Sequence, residues 1–106
     1  MKMMINRLEL QSKLEEILGS SNVYYQAPPN TGMKYPCIIY KFNNYNRMDA
    51  DNKPYILSGN WTITHIYKSI KNDTIKETMI NSFLGCSFDR RIVSDGVYND
   101  YYTLNN

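Results

Sequence analysis

The run Met33-Lys34-Tyr35-Pro36-Cys37-Ile38-Ile39-Tyr40-Lys41-Phe42 constrains the fold more than any other part of the chain. It is apolar, aromatic and β-branched with no glycine inside, which is the composition of a strand. Pro36 donates no backbone hydrogen bond, so it belongs at the strand's first residue and marks where pairing starts. Beyond it, Ile38, Tyr40 and Phe42 fall on one face and Cys37, Ile39 and Lys41 on the other. One face is wholly greasy and the other nearly so. The run therefore reads as a strand covered on both sides, near the middle of a small sheet. It carries no catalytic motif.

The flanking segments show what accompanies that strand. Asn6 to Leu18 reads as a helix, with Asn6 and Glu9 spaced as a capping box. Leu10, Leu14, Ile17 and Leu18 recur at helical spacing, Leu8 and Met4 extend the stripe, and Gly19 ends it. Glu9, Lys13 and Glu16 take the opposite, polar face. Asn22–Gln26 reads as a short strand, and Ala27-Pro28-Pro29-Asn30-Thr31-Gly32 as a loop. Residues 43–54 are polar and turn-rich. They read either as a long functional loop or as the tip of a long hairpin. Tyr55 to Lys68 reads as a strand with a break near Ser58-Gly59, and Trp61, Ile63, His65 and Tyr67 alternate along it. Thr74 and Glu77 form a Thr-x-x-Glu capping box for a second helix, with Ile75, Met79 and Phe83 on its apolar face and Gly85 at its end. Asp95-Gly96 between two strand-like runs, Cys86–Val93 and Val97–Leu104, is a hairpin signal. The order predicts one α+β domain over residues 1–106, with an antiparallel or mixed sheet of about five strands and two helices against it.

At 106 residues the chain buries about two-thirds of its unfolded surface, enough for one core. The net charge is +2 with both signs interspersed, and the longest basic run is the pair Arg90-Arg91, so no stripe for duplex DNA is present. Ten tyrosines against one tryptophan and three phenylalanines suit half-exposed sheet faces and subunit contacts. No apolar run is long enough to span a membrane or to act as a signal peptide. On that basis Asn60-Trp61-Thr62 and Asn72-Asp73-Thr74 read as chance glycosylation matches, and Cys37 and Cys86 as reduced thiols unless their strands are neighbours.

Catalytic chemistry has little to stand on. His65 is the sole histidine and sits in alternation on a sheet face, with no nucleophile placed beside it. Asp49-Ala50-Asp51 opens like a calcium loop, but Pro54 stands where that loop needs glycine and Asn60 where it needs glutamate. One histidine and two cysteines do not complete a four-ligand zinc site without carboxylates, and no glycine-rich phosphate loop exists. The reading is a non-enzyme without cofactor or metal. Arg90 and Arg91, as strand neighbours, point to opposite faces, one free to pair with Asp89 or Asp100 and the other to reach a subunit or a phosphate.

Asn22–Gln26 with its proline-rich sequel, Met33–Tyr40, Asn52-Lys53-Pro54-Tyr55, Cys86-Ser87-Phe88-Asp89-Arg90 and the closing Tyr102-Thr103-Leu104 together resemble the small tail-completion proteins, or tail terminators, of long-tailed phages. The resemblance runs over nearly the whole chain in order. It implies an α+β fold and a hexameric ring of identical subunits on the head-proximal end of the tail tube. Such a ring stops tube polymerisation and joins the tail to the head–tail connector, or neck, protein. It implies a virion protein at the tail–neck junction, assembled in the host cytoplasm, through which genomic DNA passes without specific binding. On that reading the axial contacts fall to the 43–53 segment (Arg47, Met48, Asp49, Asp51, Lys53) and the 28–34 segment (Asn30, Lys34). The lateral contacts fall to the sheet edges, to Glu9, Lys13 and Glu16, and to Arg90 and Arg91. The rival reading is a small nucleic-acid-binding or regulatory domain whose tyrosines stack bases.

Overall fold

A computed structural model gives an α+β fold of two helices and a five-stranded mixed sheet. It describes residues 5–26, 34–50, 53–68 and 74–106, with backbone only at 46–50 and 53–58. In chain order the elements are α1 (Arg7–Leu18), β1 (Val23–Tyr25), β2 (Cys37–Ala50), β3 (Lys53–Tyr67), α2 (Ile75–Ser82), β4 (Cys86–Ser94) and β5 (Val97–Asn105). Across the sheet the order is β1-β2-β3-β5-β4. Only β1 and β2 pair in parallel; the other three pairings are antiparallel. The strand opening at Cys37 therefore lies inside the sheet, although β3 is the middle one, and it is not covered on both sides: the helix face buries Ile38 and Tyr40, while on the other face only Cys37 is buried, Ile39 is half-buried and Lys41 is exposed.

α1 forms where the residues predict it. Asn6 has extended backbone, its side chain accepts from the Glu9 N–H at 2.9 Å, and its amide donates back to the Glu9 carboxylate at 2.6 Å. Gly19 closes the helix in the left-handed region at φ 79°, its N–H bonded to the Glu15 carbonyl. Leu10 and Leu14 are fully buried, and Ile17 and Leu18 pack beside them. Leu8 does not join that stripe: it is 66 % exposed, because it lies about 200° round the helix from Leu10. Met4 and the 27–32 loop lie outside the described residues.

α2 departs from expectation at both ends. Thr74 has helical backbone (φ −87°, ψ −16°) and its hydroxyl makes no cap, since a capping side chain needs an extended residue to carry it. The helix stops at Ser82 with an extended Phe83, before Gly85. Gly85 instead turns the chain into β4. Its φ is +85°, and a Cβ there would stand 2.1 Å from the Asn105 carbonyl oxygen.

The helices cover one sheet face, α1 over β1 and β2 and α2 over β4, with α1 touching α2. Leu10, Leu14, Met79 and Phe83 meet Ile38, Tyr40, Trp61, Ile63, Tyr102 and Leu104 in one cluster. Gln11 locks α1 in place: it donates to the Val23 carbonyl at 3.0 Å and accepts from the Tyr40 hydroxyl. Asp95 (φ 51°) and Gly96 (φ 74°) make the mirror-image turn that a two-residue hairpin needs.

Candidate functional site: the hairpin arm and the sheet edges

The turn-rich segment after Phe42 is mostly strand. β2 and β3 stay paired from Cys37↔Ile66 out to Ala50↔Lys53, so of the two readings the long hairpin is the structural one. β5 accompanies β3 only from Tyr67 back to Asn60, and Asn106 exchanges both backbone hydrogen bonds with Gly59. Beyond Gly59 the hairpin continues as a two-stranded ribbon, with no third strand and no helix against it among the described residues. A fifteen-residue strand is about 50 Å long, which matches the 52 Å long axis of a molecule only 27 × 23 Å in section. The register shifts between Phe42 and Asn44 and between Asn46 and Arg47, which are the bends expected of bulges in such an arm.

The shoulder of the arm is an asparagine ladder on the face away from the helices. Asn43 donates to Asn60 at 2.9 Å and to Thr62 at 2.7 Å, and Asn60 donates to Asn105 at 2.7 Å. Three strands are clasped where the third one ends. Asn60, accepting from one strand and donating to another, is the middle member of that clasp. The helix-side face of the shoulder is aromatic: Phe42 meets Tyr45 at 4.8 Å and Trp61 at 4.9 Å, both edge-on. Asn60, Asn105 and Asn106 were not legible as site residues, since their role depends on where β5 stops.

Arg47, Met48, Asp49 and Lys53 all lie on this ribbon, at its outer end. Asp51 and Asn30 lie outside the described residues, and Lys34 is an exposed residue before β2. The first-helix residues form a different group. Lys13 lies over the Phe83 ring at 5.5 Å, and Lys13 and Glu16 line a cleft of about 420 Å³ between α1 and α2 with Ile17, Thr78 and Ser82. Glu9 is engaged at the helix start. The structure thus separates Lys13 and Glu16, in the α1–α2 cleft, from the arm.

Arg90 and Arg91 point to opposite faces, as alternation requires. Arg91 grips Asp100 through Nε at 2.7 Å and a second nitrogen at 3.2 Å, while the Tyr67 hydroxyl donates to the same carboxylate at 2.9 Å. Asp100 is almost wholly buried, and burial disfavours its charge. The hydrogen bonds from Arg91 and Tyr67 and the Arg91 charge outweigh that, so the carboxyl sits below its ordinary range. His65, also buried, stacks on Tyr67 at 4.5 Å, and Tyr67 stacks on Tyr98 at 5.2 Å. This group ties β3, β5 and β4 together at the end of the sheet opposite the arm. Arg90 lies over the Tyr101 ring at 4.7 Å on the other face and stays exposed.

Cys37 and Cys86 are free, on strands separated by β3 and β5. Burial pushes both thiols up, Cys86 to about 11 with help from Asp89, so neither is a thiolate at neutral pH. Among the described residues, no three histidine, cysteine or acidic side chains gather as metal ligands, and no helix is long and apolar enough to cross a membrane. Comparison with known proteins found no matching family model, no matching curated protein and no matching solved structure.

Proposed function

We propose that the chain is a phage tail terminator: a structural virion protein that forms a six-membered ring on the head-proximal end of the tail tube. The ring ends tube polymerisation and offers its far side to the neck protein, at the tail–neck junction. The observation that carries this reading is the hairpin arm. A two-stranded ribbon is marginal on its own in water, so a chain that extends one well beyond its sheet has kept it for a partner. The arm supplies axial contacts through the segment containing Arg47, Met48, Asp49, Asp51 and Lys53, and the sheet edges supply lateral ones. A cap requires such a division, because a head-to-tail lateral contact closes a ring while a separate axial surface distinguishes tube from neck. The near-balanced charge suits a collar through which DNA must slide. No cofactor or catalytic step enters.

The experiment is to remove the arm as a pair of strands. Deleting 44–51 alone would strip β3 of its partner from Lys53 to Asn60, whereas excising 45–58 and closing on a glycine turn removes both strands at once. The excised protein is expected to fold and to leave tail tubes uncapped and unjoined. Normal capping by it would rule the arm out.

A further inference from the structure

The sheet has a covered face and a bare one, and they differ in charge. Both helices pack on the side of Tyr40, Ile63 and Tyr102. Alternation therefore turns Lys41 of β2, Thr62 and Thr64 of β3, and Tyr101 and Thr103 of β5 to the other side. The helix layer is acidic on balance: α1 and α2 carry Glu9, Glu15, Glu16 and Glu77 against Arg7, Lys13 and Lys76. The bare face is basic. Lys41 is exposed on it, Arg90 is exposed above the Tyr101 ring, and Lys68 is exposed just past the end of β3, over the Tyr35 ring at 5.1 Å. These cations are remote in the sequence, which shows no basic stripe, and only the fold brings them to one side.

Opposing acid is scarce. Asp89 is the one carboxylate on the bare face among the described strand side chains, and it already accepts from the Thr103 hydroxyl at 2.5 Å. Asp95 stands beyond the face, in the β4–β5 turn. None of Lys41, Lys68 and Arg90 makes an ion pair among the described residues. Between Lys41 and Arg90 the surface is hydroxyl-bearing: Thr62, Thr64, Thr103 and Tyr101. Lysine, arginine, threonine and tyrosine are side chains that donate to phosphate oxygens.

The spacing suits a long polyanion. Arg90 shares a cross-sheet row with Tyr101, Thr64 and Ile39, and Ile39 is two residues from Lys41. Strand spacing and rise then put the Lys41 and Lys68 backbones about 16 and 17 Å from that of Arg90. Cations so far apart do not make a pocket for one small anion. They meet separate phosphates of a duplex, which carries a charge about every 1.7 Å of its axis. A lipid surface is held by apolar side chains that insert beside the cations, and the hydroxyl-bearing residues between Lys41 and Arg90 offer none.

We propose that the helix-free face of the sheet is a sequence-independent contact surface for double-stranded DNA, with Lys41, Lys68 and Arg90 on its phosphates. This goes beyond the ring reading, which names no surface for the DNA, and it is tested without tail tubes. The experiment titrates the isotopically labelled full chain with a short mixed-sequence duplex at low salt and follows the backbone amides by NMR. Shifts are expected around Lys41, Thr64, Lys68 and Arg90 and not along α1 or α2. Three phosphate contacts predict that raising the salt about fourfold weakens binding about 40-fold. Lys41→Gln combined with Arg90→Gln removes two of them, so the same change of salt should then cost only about fourfold. Lys13→Gln, in the helix layer, should leave binding and its salt response as they are. All three side chains are exposed, so circular dichroism and melting should match the wild type. No binding at low salt, shifts confined to the helices, an unchanged salt response in the double variant, or an equal loss in Lys13→Gln would overturn the proposal. Binding to phosphatidylserine vesicles without binding to the duplex would overturn it too. Tube capping judges the terminator reading separately.

Discussion

Asp100 shows how one residue sets the character of a whole end of the sheet. Its carboxylate stays charged while buried because Arg91 and Tyr67 both donate to it. Its folded value is depressed, so the stability it contributes is fully present above the unfolded value of about 4 and disappears as pH falls through the folded value. Acid titration of the melting temperature should show that loss, and Asp100→Asn should flatten it while costing about 2–4 kcal/mol at neutral pH. An unchanged acid profile in the variant would mean that another carboxylate governs it. Gly85 makes a purely steric case. Its left-handed backbone and the Asn105 carbonyl 2.1 Å from a would-be Cβ leave no room for alanine. Gly85→Ala should cost about 2 kcal/mol or more by denaturant unfolding, whereas Gly96→Ala, with nothing within 4 Å, should cost only the strain of its positive φ.

At the scale of elements, the arm and the body should behave as separate units. The backbone amides of Lys53 and of residues 55–58 lie on the part of β3 that pairs with β2 alone, so they should exchange with solvent orders of magnitude faster than those of Ile63 or Tyr102, measurable by hydrogen exchange. Equal protection would mean that the arm is packed even in the isolated protein. The same division explains what the sequence revealed. β2 up to Phe42, α1 with its Asn6 cap and the Asp95-Gly96 hairpin were legible because each is specified locally, by alternation, by a cap or by a turn needing positive φ. The extent of the arm was not legible. Asn43-Asn44-Tyr45-Asn46 has poor strand propensity, and it is held extended by pairing with residues some fifteen positions on and by the Asn43–Asn60–Asn105 clasp. Thr74 misled for a related reason: its spacing to Glu77 fits a capping box, but backbone conformation decides whether the hydroxyl can cap. The grip of Arg91 on Asp100 was one of the pairings the sequence left open, and strand register chose it.

For the whole molecule, three surfaces have three separate addresses: an arm at one end, the β1 edge of the sheet and the β4 edge. That layout suits a subunit whose neighbours are identical to it sideways and different from it endways. The direct test of the proposed terminator role is to polymerise a phage tail-tube protein in the presence and absence of this chain, and to measure tube length and end structure by electron microscopy. A terminator should hold tubes short, with a six-fold collar at one end only. Tubes that lengthen unchecked with bare ends at saturating protein would contradict it.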